Sequence, residues 1–217
     1  MPTIDLSKVG AGFNDPVHDS QQVFRNSLQA LSHPGEIIGL TIHKEILKHT
    51  QPSAAALLLA LLDSDSRLWT TPTIAASDTA HWIVFHTNCK LVTNPAEADF
   101  AWIESIEDLP ELSSFNQGTD EYPELSTTCL INVAGFESDT DAQQNLTLQR
   151  PGIPDTRQLS LGSVSITQLN HFLSQWRANK LLFPKGVDVF LCAPHQIAGL
   201  PRTVHLSWTE STPFNKG

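Results

Sequence analysis

FPKGVDVFLCAPHQIAGLPRTVHLSW, residues 183–208, sets the frame for the rest of the chain. It opens on a turn, Phe183-Pro184-Lys185-Gly186, in which proline presets φ and glycine relieves the steric cost of a tight bend. Val187 to Cys192 is a short apolar run rich in β-branched and aromatic residues, the composition of a buried strand. Ala193 to Ala198 reads as a loop, and Leu200 to Leu206 as a second extended segment. That segment carries Pro201, Arg202 and His205, poor choices for a strand on grounds of stability alone, which marks this edge for recognition.

Working outward, Ser165 caps the clearest amphipathic helix. Ile166, Leu169, Phe172, Leu173 and Trp176 fall on one face of it, and the helix delivers the chain to the 183–208 stretch. Further back, Leu146 to Gln149, Cys129 to Val133, Phe100 to Ile103 and Arg67 to Thr71 read as strands. His81 to Phe85 also reads as a strand from its Trp-Ile-Val-Phe run, ending at His86-Thr87-Asn88. A short helix is expected around Leu109 to Phe115. Pro52 opens a helix that is apolar nearly all round and ends at Asp63-Ser64-Asp65. Glu36 to His43 is expected to be extended. A first helix runs from an Asp19 or Ser20 cap to about Ser32, with Phe24, Leu28 and Leu31 as its apolar stripe and Val23 and Ala30 widening it.

Helices thus alternate with strands, and some strand connections are too short for crossover helices. The expectation is an α/β fold, a three-layer domain with a mixed sheet flanked by helices. Residues 1–18 form a loose arm, 19–208 a single domain and 209–217 a tail.

The chain has 217 residues, 40% hydrophobic and 17% charged, a globular composition. With 23 acidic against 13 basic residues its net charge is -10, the wrong sign for a nucleic-acid binder. Cys89, Cys129 and Cys192 form no disulfide framework and read as buried thiols in a reducing compartment. No signal peptide is visible, and the longest apolar stretch, Ala54 to Leu62, falls far short of the ~20 residues that span a bilayer. A cytoplasmic protein without membrane contact is expected.

No phosphate-cradling loop, zinc helix, C-x-x-C pair or nucleophile elbow is present, and Gly162-Ser163-Val164-Ser165 fails the last pattern. The nine histidines are scattered, so no metal site is expected. What remains is a set of ligand-binding or interface candidates at the ends of apolar elements: Arg25, Asp63, His86, Arg150, Arg202 and His205. Arginine offers a fork that suits phosphate or carboxylate, and ligands gather at strand ends in α/β sheets. A structural role stands beside the binding one for each. Arg25 can pair with Asp63, His86 can cap carbonyls, and Arg202 can sit at a subunit interface.

Several segments together resemble the PhnH family of the bacterial carbon–phosphorus lyase system. They are Phe24-Arg25 with Leu31-Ser32-His33-Pro34-Gly35, then Phe85-His86-Thr87-Asn88, then Asn94 through Ala101. Leu146-Thr147-Leu148 with Pro151-Gly152-Ile153, Phe183 through Asp188, and Pro201-Arg202-Thr203 follow in order. The resemblance implies a fold related to the large domain of pyridoxal-phosphate-dependent transferases, without that cofactor. It implies a subunit of an assembly that joins a phosphonate to the ribose of ATP with loss of adenine. The partners it implies are PhnG, PhnI, PhnJ and PhnL, with a homodimer in isolation and no catalytic residue assigned to the subunit. No cofactor is expected. The subunit is expected to be inactive alone, as a component of a transferase complex. The alternative reading is a small-molecule enzyme or carrier whose Arg25, Arg202 and His86 converge on a nucleotide or phosphonate.

Overall fold

The computed structural model describes residues 12–41, 51–136, 144–149, 156–162 and 164–210. In chain order the elements are α1 (Pro16–Ser32), β1 (Ile38–Gly39), α2 (Pro52–Leu61), β2 (Arg67–Thr70), α3 (Pro72–Ala75), α4 (Asp78–Thr87) and β3 (Lys90–Val92). There follow β4 (Phe100–Ile103), β5 (Thr128–Asn132), β6 (Gln144–Gln149), β7 (Thr156–Leu159), α5 (Ile166–Leu181), β8 (Asp188–Ala193), β9 (Gln196–Leu200) and β10 (His205–Glu210).

Seven strands form the central sheet in the order β1-β9-β8-β5-β4-β2-β3. From β3 through β2, β4 and β5 to β8 all pairs are parallel, while β9 turns back on β8 and β1 pairs antiparallel with β9. The fold is therefore α/β with a mixed sheet and flanking helices. The inner parallel strands β4, β5 and β8 are buried on both faces, which explains their nearly unbroken apolar composition. Successive side chains nonetheless alternate between two cores. Ala101, Ile103, Cys129, Ile131, Val189 and Leu191 face one cluster, whereas Trp102, Leu130, Phe190 and Cys192 face the other.

Helices α1 and α2 pack on the second face, and α4 packs against α2. The first face is covered by α5 together with a separate antiparallel sheet, β10-β6-β7, whose Leu146, Leu148, Leu159 and Leu206 join the core there. That layer is part helix and part sheet, where helices alone were expected. Among the described residues, no helix is long and apolar enough to cross a membrane.

Several local expectations change. The His81–Phe85 run is not a strand: it lies in α4, whose buried Thr79, Ala80, Trp82 and Ile83 follow helical spacing. Asp78 sits in the first turn, and Asn88 closes the helix in the left-handed region at φ 58°, donating its N–H to the Val84 carbonyl at 2.8 Å. The β propensity of Trp-Ile-Val-Phe yields to these end signals and to burial against α2. Helix α1 begins at Pro16, inside the expected arm, because Asp15 rather than Asp19 caps it by accepting the Val17 and His18 N–H groups. Its buried face is Val23, Ser27 and Ala30, so Phe24 and Leu28 point outward. The expected helix near Leu109–Phe115 shrinks to a 3-10 turn, Leu112–Ser114. Residues 196–198 belong to β9 rather than to a loop, and Pro201 to Val204 form a turn instead of an extended segment. Between Glu36 and His43 only Ile38–Gly39 is strand among the described residues; positions 42 and 43 lie outside them. Strand β10 carries the domain to Glu210, into the expected tail.

Two features anchor the opening stretch. Ser165 and Gln168 form a reciprocal capping box at the start of α5, and Leu169, Phe172, Leu173 and Trp176 are buried as expected, with Ile166 left exposed. At the other end, buried Asn179 donates from Nδ2 to the Val187 carbonyl (2.9 Å) and accepts the Val187 N–H at Oδ1 (2.8 Å). One side chain thereby satisfies both backbone groups of the residue that leads into β8.

Candidate functional site

The parallel strands give the sheet two unlike edges. At the edge where they begin, the dominant feature is Arg202. Its backbone N–H donates to Asp188 Oδ1 at 2.7 Å, Nε–H to the same oxygen at 3.2 Å, and Nη2 to Asp188 Oδ2 at 2.6 Å. Nη2 also donates to Ser126 Oγ (2.6 Å), and Nη1 to the carbonyls of Pro123 (2.8 Å) and Pro184 (3.3 Å). A guanidinium has five N–H donors, and every one is engaged inside the chain. The side chains of Arg202 and Asp188 are 13% and 20% exposed, so the pair is largely shielded from solvent. Arg202 is a clamp that ties the start of β8, the loop before β5 and the turn after α5 together.

The same device recurs across the sheet. Arg67, the first residue of β2, directs its backbone N–H to Asp99 Oδ2 at 2.8 Å, Nε–H to Oδ2 at 3.0 Å and Nη2 to Oδ1 at 2.6 Å. The hydrogen bonds to Asp99 raise the Arg67 pKa above its ordinary value. Sequence reading missed this pair because Arg67 opens β2 while Asp99 immediately precedes β4, 32 residues on, and no local spacing betrays it.

The other expected site residues are dispersed. Arg25 is exposed on α1. Asp63 does not pair with it; Asp63 accepts the Asp65 and Ser66 N–H groups and the Ser66 hydroxyl, and those Ser66 bonds hold its carboxyl below the usual range. Asp63 thus shapes the turn from α2 into β2. His86 lies on α4 with its ring edge-on to Trp82 and Phe85, at centroid distances of 5.0 and 5.2 Å, and it ends a helix rather than a strand. His205 is exposed at the start of β10, opposite Gln149. Arg150 lies outside the described residues. Among those described, no hydrogen bond or ion pair joins Arg25, His86 and Arg202. Arg202 and its partner strand β8 lie four strand spacings from β3, into which α4 leads, or about 19 Å across the sheet.

The edge where the parallel strands end is where α/β sheets gather ligands. Here a cleft of about 210 Å³ opens between the ends of β4 and β5 and the start of α5. Ile106, Val133, Leu161 and Val164 give it apolar walls, and Ser105, Glu107, Asn132 and Gln168 are its polar lining. Asn132 is 8% exposed, and its Oδ1 accepts the Trp102 indole N–H at 2.9 Å. Behind it, the Gln51 side-chain amide donates to the carbonyls of Val133 and Cys192, and Ser53 Oγ donates to that of Ala193, so the base of α2 fixes the ends of β5 and β8. Among the described residues, no cationic side chain lines the cleft. Sequence reading passed over it because Asn132 merely ends an apolar strand and its neighbours come from three separate segments.

The family model for "Bacterial phosphonate metabolism protein (PhnH)" matches residues 11–207. Over 194 residues the chain is 32% identical to the alpha-D-ribose 1-methylphosphonate 5-triphosphate synthase subunit PhnH of Rhizobium meliloti (strain 1021), covering 89% of this chain and 93% of that protein. Over 193 residues it is 28% identical to the putative C-P lyase subunit protein HtxG of Stutzerimonas stutzeri, covering 86% of this chain and 85% of that one.

Proposed function

The chain belongs to the PhnH family, and we propose that it works as a subunit of the carbon–phosphorus lyase core assembly in the cytoplasm. In that role it supports formation of ribose 1-phosphonate 5-triphosphate from ATP and an alkylphosphonate, with adenine released, and has no catalytic centre of its own. The observation that carries this reading is a likeness extending across the whole domain, 93% of a protein named as a subunit of the corresponding synthase. The engagement of all five Arg202 donors supports a structural role for that residue over anion capture. PhnG, PhnI and PhnJ are the proposed partners, with a homodimer formed in their absence. We also read the fold as kin to the large domain of pyridoxal-phosphate-dependent transferases, a reading that the seven-stranded, mostly parallel sheet with helices packed on it supports.

The test is reconstitution. ATP and methylphosphonate are incubated with the purified chain alone and with PhnG, PhnI and PhnL added. Adenine release is expected only in the second case, and turnover by the chain alone overturns the proposal. A tagged copy expressed in its native cell should bring down the other core subunits.

A further inference from the structure

We propose that the cleft at the ends of β4 and β5 is a binding site for an uncharged nitrogen heterocycle that presents a hydrogen-bond acceptor beside a donor. Two side-chain amides at the cleft have their orientation fixed by their partners. An indole N–H and a backbone N–H can only donate, so the atoms facing them must be oxygens. Trp102 Nε1 therefore fixes Asn132 Oδ1, and the Ser165 N–H fixes Gln168 Oε1 at 2.9 Å. Both NH2 groups are left without an acceptor among the described residues. Asn132 is 8% exposed, yet its Nδ2 is not among the buried side-chain atoms left without a partner, so this donor opens on the cleft, where a ligand can replace water as its acceptor.

The remaining chemistry narrows the class. Ser105 Oγ donates to Asp108 Oδ2 at 2.6 Å, so toward the cleft it can only accept. Glu107 is exposed and brings an acceptor carboxylate without an ion-pair partner among the described residues. The lining thus offers donors from two amides, acceptors from Ser105 and Glu107, and apolar walls from Ile106, Val133, Leu161 and Val164. Among the described residues it carries one negative charge and no positive one, so a phosphate or phosphonate entering it meets repulsion with no compensating cation from them. At about 210 Å³ the space is below the ~300–1,000 Å³ typical of drug-sized ligands, which fits a single ring system rather than a whole nucleotide. The proposal does not depend on the subunit role, because it concerns this chain alone.

Ligand-observed NMR and calorimetry on the full chain test it, with adenine and nicotinamide as ring probes and inorganic phosphate and methylphosphonate as anion probes. A dissociation constant on the order of a millimolar is expected for the rings, as befits ligands of roughly ten heavy atoms. Asn132→Asp removes the donor that faces the cleft while keeping an oxygen for Trp102, and should weaken ring binding at least about tenfold. Ala134→Phe, at an exposed lining position, fills the cleft without touching the core and should abolish binding even if Asn132→Asp proves unstable. No saturable binding of either ring overturns the proposal. Unchanged affinity in the Ala134→Phe protein does so too, as does tighter binding of the anions than of the rings.

Discussion

Gly199 and Ala30 are in direct backbone contact: a Cβ built on Gly199 would lie 2.5 Å from both the carbonyl carbon and the oxygen of Ala30. Helix α1 therefore rests on β9 with no side chain between them, and Ser27 and Ala30 supply the small residues that let it do so. Gly199 is needed for space, because no left-handed backbone is involved at this position. Gly199→Ala should lift α1 and lower stability by about 3 kcal/mol, the upper part of the overpacking range, since backbone cannot move as a side-chain tip can. Urea unfolding monitored by tryptophan fluorescence would measure it, and a change within error would show that the helix can shift freely.

Arg202→Lys separates a clamp from a charge. Lysine keeps the positive charge but replaces a planar fork with a single ammonium, which cannot reach Asp188, Ser126, Pro123 and Pro184 together. A loss of about 2 kcal/mol is expected, and about 3 kcal/mol for Arg202→Ala, which leaves Asp188 shielded and unpaired. In a chain of this size ~3 kcal/mol corresponds to roughly 6–12 °C in Tm. A lysine variant as stable as the parent would argue for charge alone.

The acid limb of stability should depend on Asp15 and Asp63. Hydrogen bonds from His18 lower the pKa of Asp15, and those from Ser66 lower that of Asp63, both from an ordinary 3.8. A carboxylate depressed in the folded state contributes stability in full above its unfolded pKa. That contribution is lost as pH falls through the folded value, so the window lies below about pH 4. Asp63→Asn should flatten this limb in a pH series of thermal melts and leave the neutral plateau shape unchanged. Asp15→Ala should speed amide exchange at Val17 and His18, whose N–H groups it caps.

All three thiols should be silent in the native state. Cys129 and Cys192 are fully buried, and burial pushes both pKa values far up, with the Asp188 charge adding to the effect at Cys129. Burial also raises Cys89, 4% exposed at the end of α4. Labelling with a thiol reagent at pH 8 should give no rapid phase and three equivalents after unfolding. Cys89 should be the first to react as denaturant is raised. Rapid native labelling of Cys129 or Cys192 would show that the sheet opens locally.

The strands of the sheet were readable where burial on both faces makes composition one-sided. Cys129, Leu130 and Ile131 admit little else, and Val189 to Cys192 likewise. The α5 cap was readable because Ser165 and Gln168 are three residues apart and act on each other. The α4 segment was misread because Trp82, Ile83, Val84 and Phe85 carry β propensity. The stronger signals sat at its ends, an Asp78 start and an Asn88 finish. The α1 stripe was placed in part: Val23 and Ala30 are buried as expected, but the close approach of β9 favours Ser27 over Phe24 and Leu28 at the centre of the face. The candidate site was least legible. Arg202 stood out as an oddity within its own stretch, but its partners Ser126 and Pro123 lie more than seventy residues away. Asn132 acquires meaning only once Trp102 fixes its oxygen.

Among the described residues, the outermost strands of the central sheet are β1, two residues ending in an exposed glycine, and β3, three residues opening on exposed Lys90. Neither presents enough unpaired backbone to template a strand from another molecule, and a lysine at one rim would have to be stripped of water to allow it. These described edges therefore disfavour contacts between copies that would extend the central sheet. A domain whose hydrophobic strands are exposed while it folds is protected at its margins against runaway cross-chain pairing.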